Sequence, residues 1–458
     1  MKIKKLAVLI IGTMFFWNLH AGLVAHLEFE DNFKDRYGNN DGTNHGVVFT
    51  TGREGRGIYF NDSDEDYLEI GENNFDPKSS SGFSISLWVK SSSSNVNNNC
   101  YIGKNGTNPN SNEFVFGYYS NQLRIQIGDV AATASTDTEP FGNWKHYVIA
   151  GKEFSTYTAI TVYRDGSQIW TGNINDHVII NSDSRKWSFG QEWDGSDTTD
   201  HFEGYMDNIR FYDKVITAEE VMQIYAKESS DLHLKFDDDY EDRVGSADGS
   251  PSNTGVDFIE GMENRAIDLS GSSSDNEYVE FGTNATDPRG TNGSYKDYSI
   301  SLWVKSDAVG TNCYIGKHDD SGGNVFLLGY WSETLRLQIS STYATVSTTT
   351  EPTEWTHYVV TGRERLKSDL TYATDVQVYR NSSLIYSGTI NQRMGAYPFT
   401  SGDYKKWVLG QDWDGSTPTD HFNGKIDNVR FYKRLLTSSE VQALYSSEFT
   451  GVRYCKFT

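Results

Sequence analysis

Cysteine is scarce. The 458 residues hold three, Cys100, Cys313 and Cys455, and three do not make a disulfide framework. Cys100 and Cys313 both occur in Cys-Tyr-Ile-Gly-Lys and read as small apolar strand residues. Cys455 is left either free or paired. Positive charge is also short: 40 Lys and Arg against 63 Asp and Glu leave a formal net charge of −23. That excludes the basic patches a nucleic-acid binder needs and suits an extracellular protein that meets divalent cations. The apolar run Leu6–Leu19 is too short for a comfortable membrane span, and no other run is long enough to cross a membrane. Gly-x-Ser-x-Gly, His-Glu-x-x-His and phosphate-cradling glycine loops are all missing.

What is present points to an exported all-β protein. Lys2, Lys4 and Lys5 precede the apolar run, and Leu19-His20-Ala21 follows it as a small-residue cleavage site. Residues 1–21 are therefore expected to be a signal peptide. Aromatic residues make up 14% and glycines number 42, beside only 8 prolines. With abundant Thr, Ser and Tyr, that composition favours strands.

One stretch occurs twice. Trp187 to Gln191, Trp193-Asp194-Gly195-Ser196, Thr199-Asp200-His201-Phe202, Gly204 and Asp207-Asn208-Ile209-Arg210-Phe211-Tyr212 reappear from Trp407 to Tyr432 with the same internal spacing. The chain is a tandem duplication. Its expected domains are 22–227 and 231–447, followed by a tail over 448–458. The short join at Lys227-Glu228-Ser229-Ser230 predicts domains that touch.

Within each repeat, period-two runs predict strands. The clearest pair is Phe83–Lys90 and Tyr298–Lys305. Arg164-Asp165-Gly166-Ser167 predicts a hairpin turn; its counterpart Arg380-Asn381-Ser382-Ser383 has lost the glycine. Thr217-Ala218-Glu219-Glu220 and Thr437-Ser438-Ser439-Glu440 predict capping boxes that open short helices. Many short strands and one small helix per repeat predict a β-sandwich or jelly roll. Strand parity puts Asp207 on one face with Ile209 and Phe211, and Asp427 with Val429 and Phe431. A carboxylate on an apolar face is costly unless it is paired or binds a cation.

The ordered motifs, from the Phe-Glu/Asp-Asp opening through Ser-Ile-Ser-Leu-Trp-Val-Lys, Ile-Gly-Lys and Trp-x-His-Tyr-Val to Phe-x-Gly-x-x-Asp-Asn-x-Arg-Phe-Tyr, carry a resemblance. The chain resembles the laminin-G-like, concanavalin A-like lectin/glucanase superfamily in its bacterial jelly-roll branch, over nearly all of both repeats. The fold class implied is all-β: two tandem concanavalin A-like jelly-roll sandwiches. The resemblance also implies one structural Ca2+ per domain, joining the end of the first strand, the following loop and the closing-strand aspartate. The residues that match are Glu30, Asp35, Asp41 and Asp207 in the first domain, and Asp237, Asp242, Asp248 and Asp427 in the second. Loop amides, or Arg36 and Arg243, are the alternative partners for these carboxylates.

Trp193, Asp194, Asp200 and His201, with Trp413, Asp414, Asp420 and His421, combine an aromatic platform with hydrogen-bonding groups, as sugar sites do. The competing reading packs the tryptophans under their own loops and uses the aspartates to cap turns. The expected function is a secreted, calcium-stabilised, lectin-like protein that binds a polysaccharide or glycoprotein. A protein–protein adhesive module is the alternative. A hydrolase ranks third, because no strand carries the closely spaced acids that a glucanase needs.

Overall fold

The computed structural model describes residues 21–92, 98–107, 111–181, 183–252, 256–271, 277–290, 297–395, 399–400 and 402–451. The expected signal peptide, except for Ala21, and Cys455 lie outside these residues. Among them, each half of the chain forms an eight-stranded sheet, a seven-stranded sheet and a separate two-stranded ribbon. Every strand pairing is antiparallel.

In the first half, the eight-stranded sheet has Phe83–Ser91 between Lys145–Glu153 and the closing strand Gly204–Tyr212. The opening strand Leu23–Leu27 pairs with the closing strand, so both ends of the domain meet there. The seven-stranded sheet runs from Val130–Ser135 through Asn112–Tyr119 and Asn98–Asn105 to Gly42–His45. Ile85, Leu87 and Val89 from one sheet meet Ile102, Phe116 and Ile125 from the other in a single core. The second half repeats the plan around Ile300, Leu302 and Val304.

Parity fails at one place, and it matters. The closing strand bulges: Asp207 pairs with Trp88, and Arg210, not Ile209, is the next residue in register, with Ser86. Asn208 is the extra residue, in the left-handed region at φ 51°. A bulge shifts every side chain beyond it to the other face. Met206, Ile209 and Phe211 therefore point into the core, while Asp207 and Arg210 lie on the outer face with Trp88 and Ser86. The expectation that Asp207 shares a face with Ile209 and Phe211 is corrected. Asn428, at φ 49°, does the same for Asp427.

The alternation of Leu23 to Phe29 predicts a longer opening strand than the structure has. It ends at Leu27, and Phe29 turns at φ 58° while its side chain stays in the core. Phe236 does so at φ 60°. The turn at Asn381-Ser382 keeps both left-handed residues without glycine, at φ 48° and 63°.

The closing helices α1 (Ala218–Glu228) and α2 (Ser438–Gly451) sit on the outer faces of the eight-stranded sheets. Thr217 and Glu220 form the capping box, as do Thr437 and Glu440. The last turn of each helix sends a glutamate inward. Glu228 accepts from Trp88 Nε1 at 2.7 Å and pairs with Arg210 at 2.5 Å. Glu448 accepts from Trp303 Nε1 at 2.5 Å and pairs with Arg430. Asn208 then links Arg210 to His26, and Asn428 links Arg430 to His233.

The two halves touch, as the short join predicts. Arg53 holds the join itself, Nε donating to the Glu228 carbonyl at 2.9 Å and Nη2 to that of Ser230 at 2.5 Å. Glu54 crosses to the second half, 3.0 Å from His233 Nδ1 and 3.5 Å from Lys235 Nζ. From the other side, Tyr432 Oη donates to the Ala226 carbonyl at 2.9 Å, and Arg434 to Ser229 at 2.8 Å.

Candidate functional site

Two acidic constructions recur in both halves. The first joins the opening strand, the hairpin Gly52-Arg53-Glu54-Gly55-Arg56 and the bulge. Asp207 is fully buried. Its Oδ2 accepts the Arg53 N–H at 2.7 Å and that of Glu54 at 3.2 Å, and its Oδ1 accepts the Asn208 N–H at 2.7 Å. Glu30 receives the Arg56 N–H on both oxygens at 3.3 Å. The hairpin thus occupies the space between the two carboxylates. A Cβ on Gly52 would lie 2.5 Å from Asp207 Oδ2, and Gly55 turns at φ 61° against Glu30, so glycine is required at both.

In the second half, Asp427 Oδ2 takes the Met262 and Glu263 N–H groups at 2.7 and 3.1 Å. Asp237 takes the Arg265 N–H and the Asn264 amide, both at 3.1 Å. Burial pushes Asp207 and Asp427 well above the usual carboxylate range, against the pull of these amides.

The remaining four expected ligands organise loops. Asp35 accepts from the N–H groups of His26 and Tyr37 at 2.9 Å and of Asn40 at 3.1 Å, and Asp41 accepts from Asp35 N at 2.8 Å. Burial raises Asp35, but those amides outweigh it and hold the group below its ordinary value. Asp242 and Asp248 repeat the arrangement with His233, Val244 and Ala247.

These sets do not fit a shared cation as they stand. Each of the eight carboxylates already accepts at least one backbone N–H group, and Asp427 Oδ1 is buried without a partner among the described residues. Among the described residues, no three His, Cys, Asp or Glu are grouped to hold a metal. Loop amides bond the carboxylates expected to hold calcium. Arg36 and Arg243, the other alternative, pair with Glu28 and Asp239.

The second construction is the ribbon. Glu192–Asp194 pairs with Asp197–Thr199 outside both large sheets, and Asp412–Asp414 with Thr417–Thr419. Trp193 is half-buried. Arg185 stacks 4.0 Å from its ring centroid, and Tyr67 meets it edge-on at 6.0 Å. Lys405 and Tyr278 do the same for Trp413, at 4.4 and 6.0 Å. One face of each indole is therefore covered by a cationic side chain. Asp194 and Asp414 are exposed at the ribbon tips. Asp200 accepts from Asn98 at 2.9 Å, and Asp420 from Trp331 Nε1 at 2.6 Å.

Buried polar atoms without partners among the described residues gather on this stretch. They are Trp193 Nε1, Thr199 Oγ1 and both ring nitrogens of His201, matched by Trp413 Nε1, Thr419 Oγ1 and His421 Nδ1. The amides of Gln191 and Gln411 join them.

Beneath the first ribbon, burial first, then Asp200 and Asp194, drive the Glu192 carboxyl up to about 8. Its counterpart Asp412 has a partner, His318 Nε2 at 2.5 Å. The position of His318 is filled by Asn105 in the first half, which bonds the Trp193 carbonyl at 3.1 Å.

Sequence reasoning missed the supports: Arg185, Lys405, Glu192 and the buried lysine of Ile-Gly-Lys. Lys104 donates to the carbonyls of Asn73, at 2.7 Å, and Arg185, and burial lowers it to about 8. A lysine closing a buried strand in both repeats was the available signal.

A laminin G family profile, described as the concanavalin A-like lectin/glucanases superfamily, matches residues 62–222 and 273–442, together well over half of the chain. The chain belongs to that superfamily, as two tandem copies. No curated protein matches it. Among solved structures it is similar to domain 4 of AbnA, a GH43 extracellular arabinanase from Geobacillus stearothermophilus, in complex with arabinotriose. That match has 21% identity, covers 44% of this chain and 97% of that one, and has a TM-score of 0.35. It is also similar to the binding domain of botulinum neurotoxin DC in complex with SialylT, at 13% identity over 93% and 98% of the two chains, TM-score 0.40. A third is the CBM40 of a Ruminococcus gnavus IT-sialidase bound to α2,3 sialyllactose, at 15% identity over 33% and 83%, TM-score 0.26.

Proposed function

We propose that this chain is an exported, lectin-like protein without catalytic activity, whose two ribbons bind glycan outside the cell. The lysine-led apolar N-terminus and the acidic composition support export. One observation carries the binding proposal: each half builds the same ribbon outside its main sheets and gathers there a half-buried indole, exposed carboxylates and polar atoms that no described protein group satisfies. Hydroxyl-rich ligands supply the donors and acceptors such atoms need.

Hydrolysis fits poorly. The acidic pair is not repeated: Glu192 and Asp200 of the first half become Asp412, bonded to His318, and Asp420, bonded to Trp331, so no pair of free carboxyls recurs to flank a glycosidic bond. Calcium forms no part of the proposal, because amides hold the carboxylates it would need.

A glycan array with the wild-type chain and with Trp193→Ala/Trp413→Ala tests this reading. Binding that falls roughly tenfold or more in the double variant, at unchanged thermal midpoint, is expected. A blank array from folded wild-type protein would replace the proposal with the adhesive protein–protein module.

A further inference from the structure

The duplication provides an internal comparison, and one cavity breaks the symmetry. A cavity of about 360 Å³ opens in the first half beside the seven-stranded sheet, within the ~300–1,000 Å³ typical of small-molecule sites. Four segments build it: Gly106-Thr107 after Asn98–Asn105, the start of Asn112–Tyr119, the turn at Gly128-Asp129, and the chain that follows Ser167–Ile174. Glu113, Asp129, Asp176, His177, Ile179 and Asp183 line it.

Asp176 serves to shape the cavity. Its Oδ2 accepts the Asp129 N–H at 3.1 Å and its Oδ1 the His177 N–H at 2.8 Å. Glu113 is different. It is 8% exposed, its Oε1 accepts from Ser184 Oγ at 2.5 Å, and its Oε2 is buried with no partner among the described residues. A buried carboxylate oxygen without a donor is costly, and a donor entering the cavity removes that cost. Asp129 and Asp183 add exposed acceptors, and Ile179, 58% exposed, adds an apolar wall.

The second half keeps the backbone and changes most of the chemistry, although Asp403 stands where Asp183 does, Thr107 N bonding the Asp183 carbonyl as Asp320 N bonds that of Asp403. Gly128 N bonds the Glu113 carbonyl at 3.3 Å, and Ser340 N bonds that of Val325 at 3.0 Å, which fixes the correspondence. Likewise Thr158 Oγ1 bonds the Asp176 carbonyl and Thr374 Oγ1 that of Gln392, both at 2.7 Å. Glu113, Asp129, Asp176 and His177 therefore become Val325, Ser341, Gln392 and Arg393. The same fold stands without Glu113, Asp129 and Asp176, so these three are not required by folding.

We infer that the Glu113 cavity is a second binding site, present in the first domain alone, for a non-acidic sugar unit. Hydroxyl or amine donors meet Glu113 Oε2, Asp129 and Asp183, while a C–H face lies on Ile179. The surrounding carboxylates repel uronic and sialic acids. The absence of any grouping of three metal-ligating side chains among the described residues argues against a bare cation. The choice of sugar rests on the glycan reading above.

Saturation-transfer NMR on the full chain tests this, with methyl hexopyranosides, glucosamine, glucuronate and calcium chloride as probes. The background is Trp193→Ala/Trp413→Ala, which removes the ribbon indoles. Transfer to the hexosides or glucosamine is expected, weakened about tenfold by Glu113→Gln or by Asp129→Asn. Glu113→Gln retains the acceptor for Ser184, and Asp129 lies in an exposed turn, so a folded variant is available. Transfer that survives both variants, equal transfer to glucuronate, or response to calcium alone overturns the inference. Sugar binding that disappears with the tryptophans overturns the cavity and leaves the ribbon reading standing; no transfer even from the wild-type chain sinks both.

Discussion

Single residues decide which side chain faces what. Asn208 and Asn428 each add one residue to a strand, and Asp207 and Asp427 consequently leave the core face for the outer one. Nothing in the alternation of the sequence marks that extra residue. Glu192 shows the electrostatic side of the same scale. Its folded value of about 8 lies above the ordinary 4.5, so the unfolded chain ionises first. Stability from this group is fully present below about pH 4.5 and is lost progressively as pH rises toward 8, on the order of a few kcal/mol in all. Glu192→Gln is expected to flatten that slope and to raise the unfolding midpoint at pH 8, measured by thermal denaturation across pH 4–9. An unchanged slope would show that Glu192 is ionised in the folded chain.

At the scale of elements, the hairpin Gly52–Arg56 is the piece that joins Glu30 to Asp207. It places three N–H groups on Asp207 and Glu30, and a fourth comes from the bulge. Asp207→Ala leaves buried donors unpaired and is expected to cost about 2–4 kcal/mol in denaturant unfolding, while EGTA is expected to leave the thermal midpoint of the wild-type chain unchanged. A drop with EGTA would return a cation to the clasp.

Much of this level was legible beforehand. The duplicated motifs, the Phe83–Lys90 strand, the Asp165-Gly166 turn and both capping boxes are local patterns, and the structure keeps them. That Glu30 and Asp207 belong to one construction was also readable from the resemblance. What lies between them was not, because backbone amides carry no side-chain signature. The same holds for Glu228 and Glu448, whose partners Trp88 and Trp303 are more than a hundred residues away.

At the scale of the molecule, Glu54 belongs to both halves. Its own N–H and that of Arg53 serve Asp207, while its carboxylate meets His233 and Lys235. Burial raises Glu54, but Lys235 and His233 outweigh it and hold the group well below its usual range. Removing one partner of a buried ion pair leaves the other uncompensated. Glu54→Ala is expected to separate one cooperative unfolding transition into two, seen by calorimetry, with the second half losing the most. A single transition at the wild-type midpoint would mean that the helix contacts alone unite the halves.

The join has a geometric corollary. Because Arg53, Glu54, Tyr432 and Arg434 fix one half on the other, the distance between Trp193 and Trp413 is set by the protein and not by a flexible tether. On the proposed glycan reading, two grips on a stiff frame act as a ruler. A polymer whose repeat matches the span gains avidity from the second grip at little extra entropic cost, and one out of step is held by a single end.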